Sequence, residues 1–153
     1  IHLMAGNDVN IYACSSKFTN ESPGDSVMVS CFDNMKARVD MFNVWRKTSS
    51  EGPKLFMDGR MNAENFQMFM VTPENEDQYL EHLFPDSELE DLPCTYKATS
   101  HTAAMMASKM VTGLTNWVGN NVTGKSIRST PFKYDYDMQF LMETKYENIL
   151  TNI

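Results

Sequence analysis

VMVSCFDNMKAR, residues 27 to 38, changes hydrophobic rhythm in its middle. Val27, Met28, Val29, Ser30, Cys31 and Phe32 form a run with no polar side chain larger than serine, the pattern of a strand covered on both faces. Beyond Asp33 the apolar residues Met35, Val39, Phe42 and Trp45 fall at the spacing of one helical face. Strand, tight turn and helix therefore follow one another, with Asp33 at the carboxyl end of the strand and the amino end of the helix. Two roles suit a carboxylate there. As an N-cap it would accept a hydrogen bond from an orphan amide of the first turn and complement the helix dipole. As a ligand it would stand just outside the carboxyl end of a strand, where open α/β sheets bind their ligands and where a phosphate-bound magnesium ion would be held. Position alone favours the cap.

Working outward, VNIYACS from Val9 is rich in β-branched and aromatic residues and predicts a strand, followed by a loop of turn formers, NESPGDS. The helix after Asp33 is expected to end near KTSSEGP, residues 47 to 53, with Gly52 and Pro53 to stop it. KLFMDGRM and NFQMFMV read as two antiparallel strands joined by a short turn. Thr72 and Pro73 open a short acidic helix, with Pro73 suited to its first position. A long buried helix is expected to run to about Gly119, and PFKYDYDMQFLMET to form one final strand. The whole chain, residues 1 to 153, thus reads as a single α/β region with a mixed sheet and flanking helices, its methionines filling the core.

Composition narrows the function classes. The formal charge is −7, with 13 basic against 20 acidic side chains, which argues against an electrostatic grip on nucleic acid or on an anionic membrane. Much of the acidity lies in ENEDQYLEHLFPDSELED, residues 74 to 91, expected as a solvated helix and loop. The most apolar segment, His101 to Val118, contains Lys109, several threonines and an asparagine, and is shorter than the ~20 mostly apolar residues that cross a bilayer. Three cysteines, at 14, 31 and 94, leave one unpaired and form no C-x-x-C, so neither a disulfide framework nor a cysteine zinc site is expected. Cys14 and Cys31 are expected as small core residues. Sequons at Asn20 and Asn121 would matter only in a secreted protein, and the cysteine usage points instead to a cytoplasmic setting. The chain begins at Ile1, as a processed protein or part of a longer polypeptide would.

In this order the elements resemble the second half of the HesA/MoeB/ThiF family, the adenylating enzymes related to the ubiquitin-activating enzyme. The matching pieces are VNIYACSSKFT, VMVSCFDNMKARVDMFNVWRK, FMDGRMNAENFQMFMV and LPCTYKATSHTAAMMASKMVTGLTNWV, spanning residues 7 to about 142. The family's Cys-x-Asp-Asn signature with a following arginine has its counterpart in Cys31, Asp33, Asn34 and Arg38, and its glycine-containing turn in Asp58, Gly59 and Arg60. The resemblance implies the carboxyl-terminal half of a ThiF-type, Rossmann-like fold. It also implies ATP and magnesium as cofactors, a ubiquitin-like or sulfur-carrier protein as the partner whose C-terminal carboxylate receives AMP, and a homo-oligomer. On it, Asp33 becomes a magnesium and nucleotide ligand, with Asn34 beside it. Cys94 would correspond to the cysteine that takes the carrier as a thioester in some relatives, with Lys97 and a helix start nearby to favour the thiolate. His101 is expected as a packed or capping histidine rather than a general base.

The departures are equally plain. No glycine-rich G-x-G-x-x-G loop occurs in the chain, and a phosphate cradle needs the backbone amides such a loop exposes at a helix start. The family's C-x-x-C zinc pairs are absent too, with the acidic segment in their place. Catalysis by these 153 residues alone is not expected. The alternatives are a non-catalytic module that docks a small protein and a structural fragment with the same fold.

Overall fold

The computed structural model describes residues 12–85 and 100–147. Five strands, β1 (Val27–Ser30), β2 (Leu55–Asn62), β3 (Asn65–Val71), β4 (Lys133–Asp137) and β5 (Met142–Tyr146), form one sheet in the order β1-β2-β3-β4-β5. β1 and β2 are parallel and every later pair is antiparallel, so the fold is α/β with a mixed sheet. The connection between the parallel pair is helix α1 (Met35–Lys47), as parallel strands require a crossover. The short helix α2 (Glu76–Leu80) follows β3, and the long helix α3 (Ser100–Thr123) precedes β4.

The two faces of the sheet are filled differently. Beneath α1 and α2 the core is aromatic, with Phe42, Trp45, Phe56, Phe69, Tyr79 and Phe132 packed largely edge to face. Beneath α3 it is rich in methionine, with Met57, Met68, Met70 and Met110 buried together. Flexible thioethers suit a surface where a helix lies very close to strands. A Cβ on Gly59 would come within 2.6 Å of Met110 Sδ, and one on Gly113 within 2.9 Å of Met70 Sδ, so glycine on both sides lets α3 approach the sheet. These contacts also fix direction: Gly59 meets Met106 and Met110, whereas Gly113 meets Met57 and Met70. α3 therefore runs against β2, and its amino end lies at the carboxyl end of β1 and β2.

Several expectations change. Residues 12–15 are irregular and exposed rather than a strand, Tyr12 at 90%, while residues 9–11 lie outside the described part. β1 ends at Ser30, and Val29 is 42% exposed, because α3 covers β2 and β3 but not β1. Cys14 and Cys31 are both exposed: neither lies in a strand, so neither side chain is carried into the core. α1 ends at Lys47, at the start of KTSSEGP as expected, but what stops it is not Gly52 and Pro53: Thr48 Oγ1 donates to Val44 O and the Lys54 ammonium caps the carbonyls of Trp45 and Thr48 at 2.8 Å. Pro73 sits in a turn closed by Asn75 N–H to Thr72 O, so α2 begins three residues after it. α3 continues through Gly119, whose bare face Arg128 covers, and ends before Gly124 at φ +64°. It is amphipathic rather than wholly buried. The last expected strand is a hairpin, β4 and β5 joined by residues 138–141.

Candidate functional site

Asp33 is exposed in the tight connection between β1 and α1, at the carboxyl end of a parallel strand. It is not the N-cap. That position belongs to Asn34, whose backbone is extended and whose side-chain oxygen accepts the Ala37 N–H at 2.8 Å. The other end of the same carboxamide donates to Asp33 Oδ1 at 3.0 Å. One asparagine therefore closes the helix end and orients the carboxylate, leaving Asp33 no capping duty.

The connector carrying Asp33 is tied down from below. Arg38, one turn into α1, is buried and donates to the carbonyl of Phe32, to the carbonyl of Gly59 at 2.8 Å and to Asp58 Oδ1. Asp58 is fully buried on β2, level with Ser30. Its second oxygen accepts Arg60 Nε at 2.6 Å and the Tyr79 hydroxyl at 2.8 Å. Arg60 donates onward to His82 O at 2.8 Å and lies 4.5 Å from the Phe69 ring centre. Both helices of this face thus meet β2 at one carboxylate, and two guanidiniums against it leave one positive charge beneath the connector. Burial, followed by the Asp58 charge, holds the Tyr79 phenol far above its usual range, so the hydroxyl keeps its proton, donating to Asp58 and accepting from Arg60 Nη2 at 3.2 Å. Burial, with Lys133 and Arg60 nearby, pushes His82 down, favouring its neutral form.

Residues flagged from sequence divide clearly. Arg38, Asp58 and Arg60 converge on one network, with Asp33 and Asn34 on the connector that it holds. Tyr79 was not foreseen, since nothing in a short acidic helix marks one tyrosine as a buried partner. His101 is exposed in the first turn of α3 rather than packed, at the sheet end that bears Asp33. Cys94 and Lys97 lie outside the described residues. Burial pushes the Cys31 thiol up, with Arg38 opposing, so this cysteine is a poor thiolate despite its exposure.

The donor set limits what metal could bind. No group of three or more histidine, cysteine, aspartate or glutamate side chains able to hold a metal occurs among the described residues. An all-protein cage is therefore not formed by them, whereas magnesium carried by phosphates needs only one or two carboxylates, and Asp33 supplies one. Among the described residues no helix is long and apolar enough to cross a membrane. No protein-family model matches the chain, and no curated protein matches it.

Proposed function

We propose that this chain is the carboxyl-terminal half of a ThiF-type adenylating enzyme acting on the C-terminal carboxylate of a ubiquitin-like or sulfur-carrier protein, with Asp33 as the ligand of ATP-bound magnesium. The observation that carries the proposal is Asp33 itself: a carboxylate exposed at the carboxyl end of a parallel strand and relieved of capping by its neighbour. Its remaining ties to α1 are the bond from the capping Asn34 and the helix dipole, both weak at an exposed position, which leaves the carboxylate available to a ligand. Asn34 orients the carboxylate, and Arg38 fixes the connector by holding the Phe32 carbonyl. The buried excess of positive charge beneath the connector also favours anionic phosphates above it.

Magnesium, when bound, offsets charge on the phosphates during attack of the carrier carboxylate. The glycine-rich loop that would cradle those phosphates is not in these residues and must come from elsewhere. β1 has a strand neighbour on one side only among the described residues, which is where a nucleotide-binding half would add its strands. ATP–pyrophosphate exchange tests the proposal. The chain alone should show none, and exchange should appear when the chain is joined to a glycine-rich nucleotide-binding half. Strong magnesium-dependent exchange by these 153 residues alone would contradict it.

A further inference from the structure

α2 is five residues long and packs on β3, so on the aromatic face it leaves a gap over β4 and β5. The gap is a cavity of about 350 Å³, at the small end of the range for small-molecule sites. Gln78, Glu81 and His82 line it from the helix side, and Phe132, Lys133, Tyr146 and Glu147 from the strand side. Its walls are partly aromatic: Phe132 is buried, the His82 ring centre lies 5.9 Å from that of Phe132, and Tyr146 is exposed at the mouth. Acceptors are set into these walls without donors to match. Gln78 Oε1 is buried and accepts no hydrogen bond, and the Glu81 and Glu147 carboxylates, on opposite sides, pair with no cation among the described residues. Lys133 is the one cation in the lining, and its ammonium is already taken: it lies 2.9 Å from Asp135 Oδ2 and 4.9 Å from the centre of the Tyr146 ring, its neighbour across the β4–β5 pair. Asp135 Oδ1, on the same face of β4, is a second buried acceptor with no donor. His82, pushed by burial toward its neutral form, adds little charge of its own.

We propose that this cavity binds a small organic cation, a guanidinium or ammonium group on an apolar stem. The donors of such a head supply what Gln78 Oε1 lacks, and its charge answers Glu81 and Glu147. The stem packs on Phe132 and Tyr146, and the open face of the Tyr146 ring attracts the charge as well. Lys133 shows that this surface accepts a cation, since its own ammonium rests between the Tyr146 and Phe69 rings, 4.9 and 5.9 Å from their centres. The competing ligand classes fit less well. An anion would meet two unpaired carboxylates, a neutral donor would satisfy Gln78 and leave both of them unanswered, and a hard metal ion needs a closed set of oxygen ligands in place of aromatic walls. The inference does not depend on the adenylating activity: β2 and β3 stand between this cavity and the β1 connector that carries Asp33.

NMR titration of the full chain with n-butylguanidinium tests it. Saturable shifts should centre on the Gln78 side-chain amide, His82, Lys133 and Tyr146, with a Kd of about 1 mM. n-Butylurea has the same shape without the charge and should bind about tenfold more weakly. Gln78→Leu removes an orphan acceptor at nearly constant volume, so its melting temperature should hold while butylguanidinium binding weakens about tenfold. Glu81→Gln combined with Glu147→Gln should weaken it by about tenfold too, and added salt should erode the wild-type affinity. An acetyl-Gly-Arg-Gly amide peptide carries the same head on a chain: weaker binding than butylguanidinium assigns the site to a free cation, and tighter binding assigns the head to a protein side chain. Equal binding of n-butylurea, shifts centred away from the cavity, or wild-type affinity in both Gln78→Leu and the double glutamate variant would overturn the proposal.

Discussion

At the scale of single residues, Asp33 and Asn34 show how one position separates two functions that sequence alone merges. Both residue types cap helices equally well, so nothing in DNMK says which begins α1. The geometry assigns the cap to Asn34, and the consequences differ in size. Asn34→Ala should cost about 1 kcal/mol of stability, whereas Asp33→Ala should leave the melting temperature nearly unchanged. Equal losses in thermal melts of the two variants would return the cap to Asp33. Arg38 makes a heavier demand. It reaches Phe32, Asp58 and Gly59 at once, and its removal leaves a buried carboxylate short of one cation. Arg38→Ala should therefore cost about 3 kcal/mol in urea unfolding, toward the lower end for a broken buried pair because Arg60 and Tyr79 still hold Asp58. A loss under about 1 kcal/mol would mean that the pair is solvated like a surface bridge.

Elements were legible wherever periodicity and punctuation agreed. β1, α1 and the β2–β3 hairpin follow from a switch of period at Asp33 and from two strand-like runs close together. The final hairpin was hidden because its turn, residues 138–141, is Met-Gln-Phe-Leu and contains none of the usual turn formers, although Leu141 adopts φ +53° there. Residues 12–15 failed in the other direction, because strand-forming composition makes a strand only where a neighbour pairs with it. The site was half legible. Its residue types stood out, but the bond between Arg38 and Asp58 joins residues 20 apart and depends on how α1 lies across β2. The β2–β3 turn carries its own test. Ala63 sits at φ +52° in a two-residue connection, a conformation that penalises a Cβ. Ala63→Gly should raise stability by about 0.5–1 kcal/mol in denaturant unfolding; a decrease would mean that the turn relaxes without strain.

For the whole molecule, the sheet sorts its surroundings by end and by face. The carboxyl end of β1 and β2 gathers Asp33, the Arg38–Asp58–Arg60 network and the amino end of α3. The outer face of α3 is exposed and uncharged, and β1 pairs on one side only among the described residues. The central claim is that Asp33 is kept for a cation and not for the fold. Its most direct test is ATP–pyrophosphate exchange and thermal melting measured side by side on Asp33→Asn, in the chain joined to a glycine-rich nucleotide-binding half. A neutral carboxamide is a far weaker partner for magnesium, so exchange should fall to a small fraction of wild type while the melting temperature holds. Wild-type exchange by Asp33→Asn would remove Asp33 from the site.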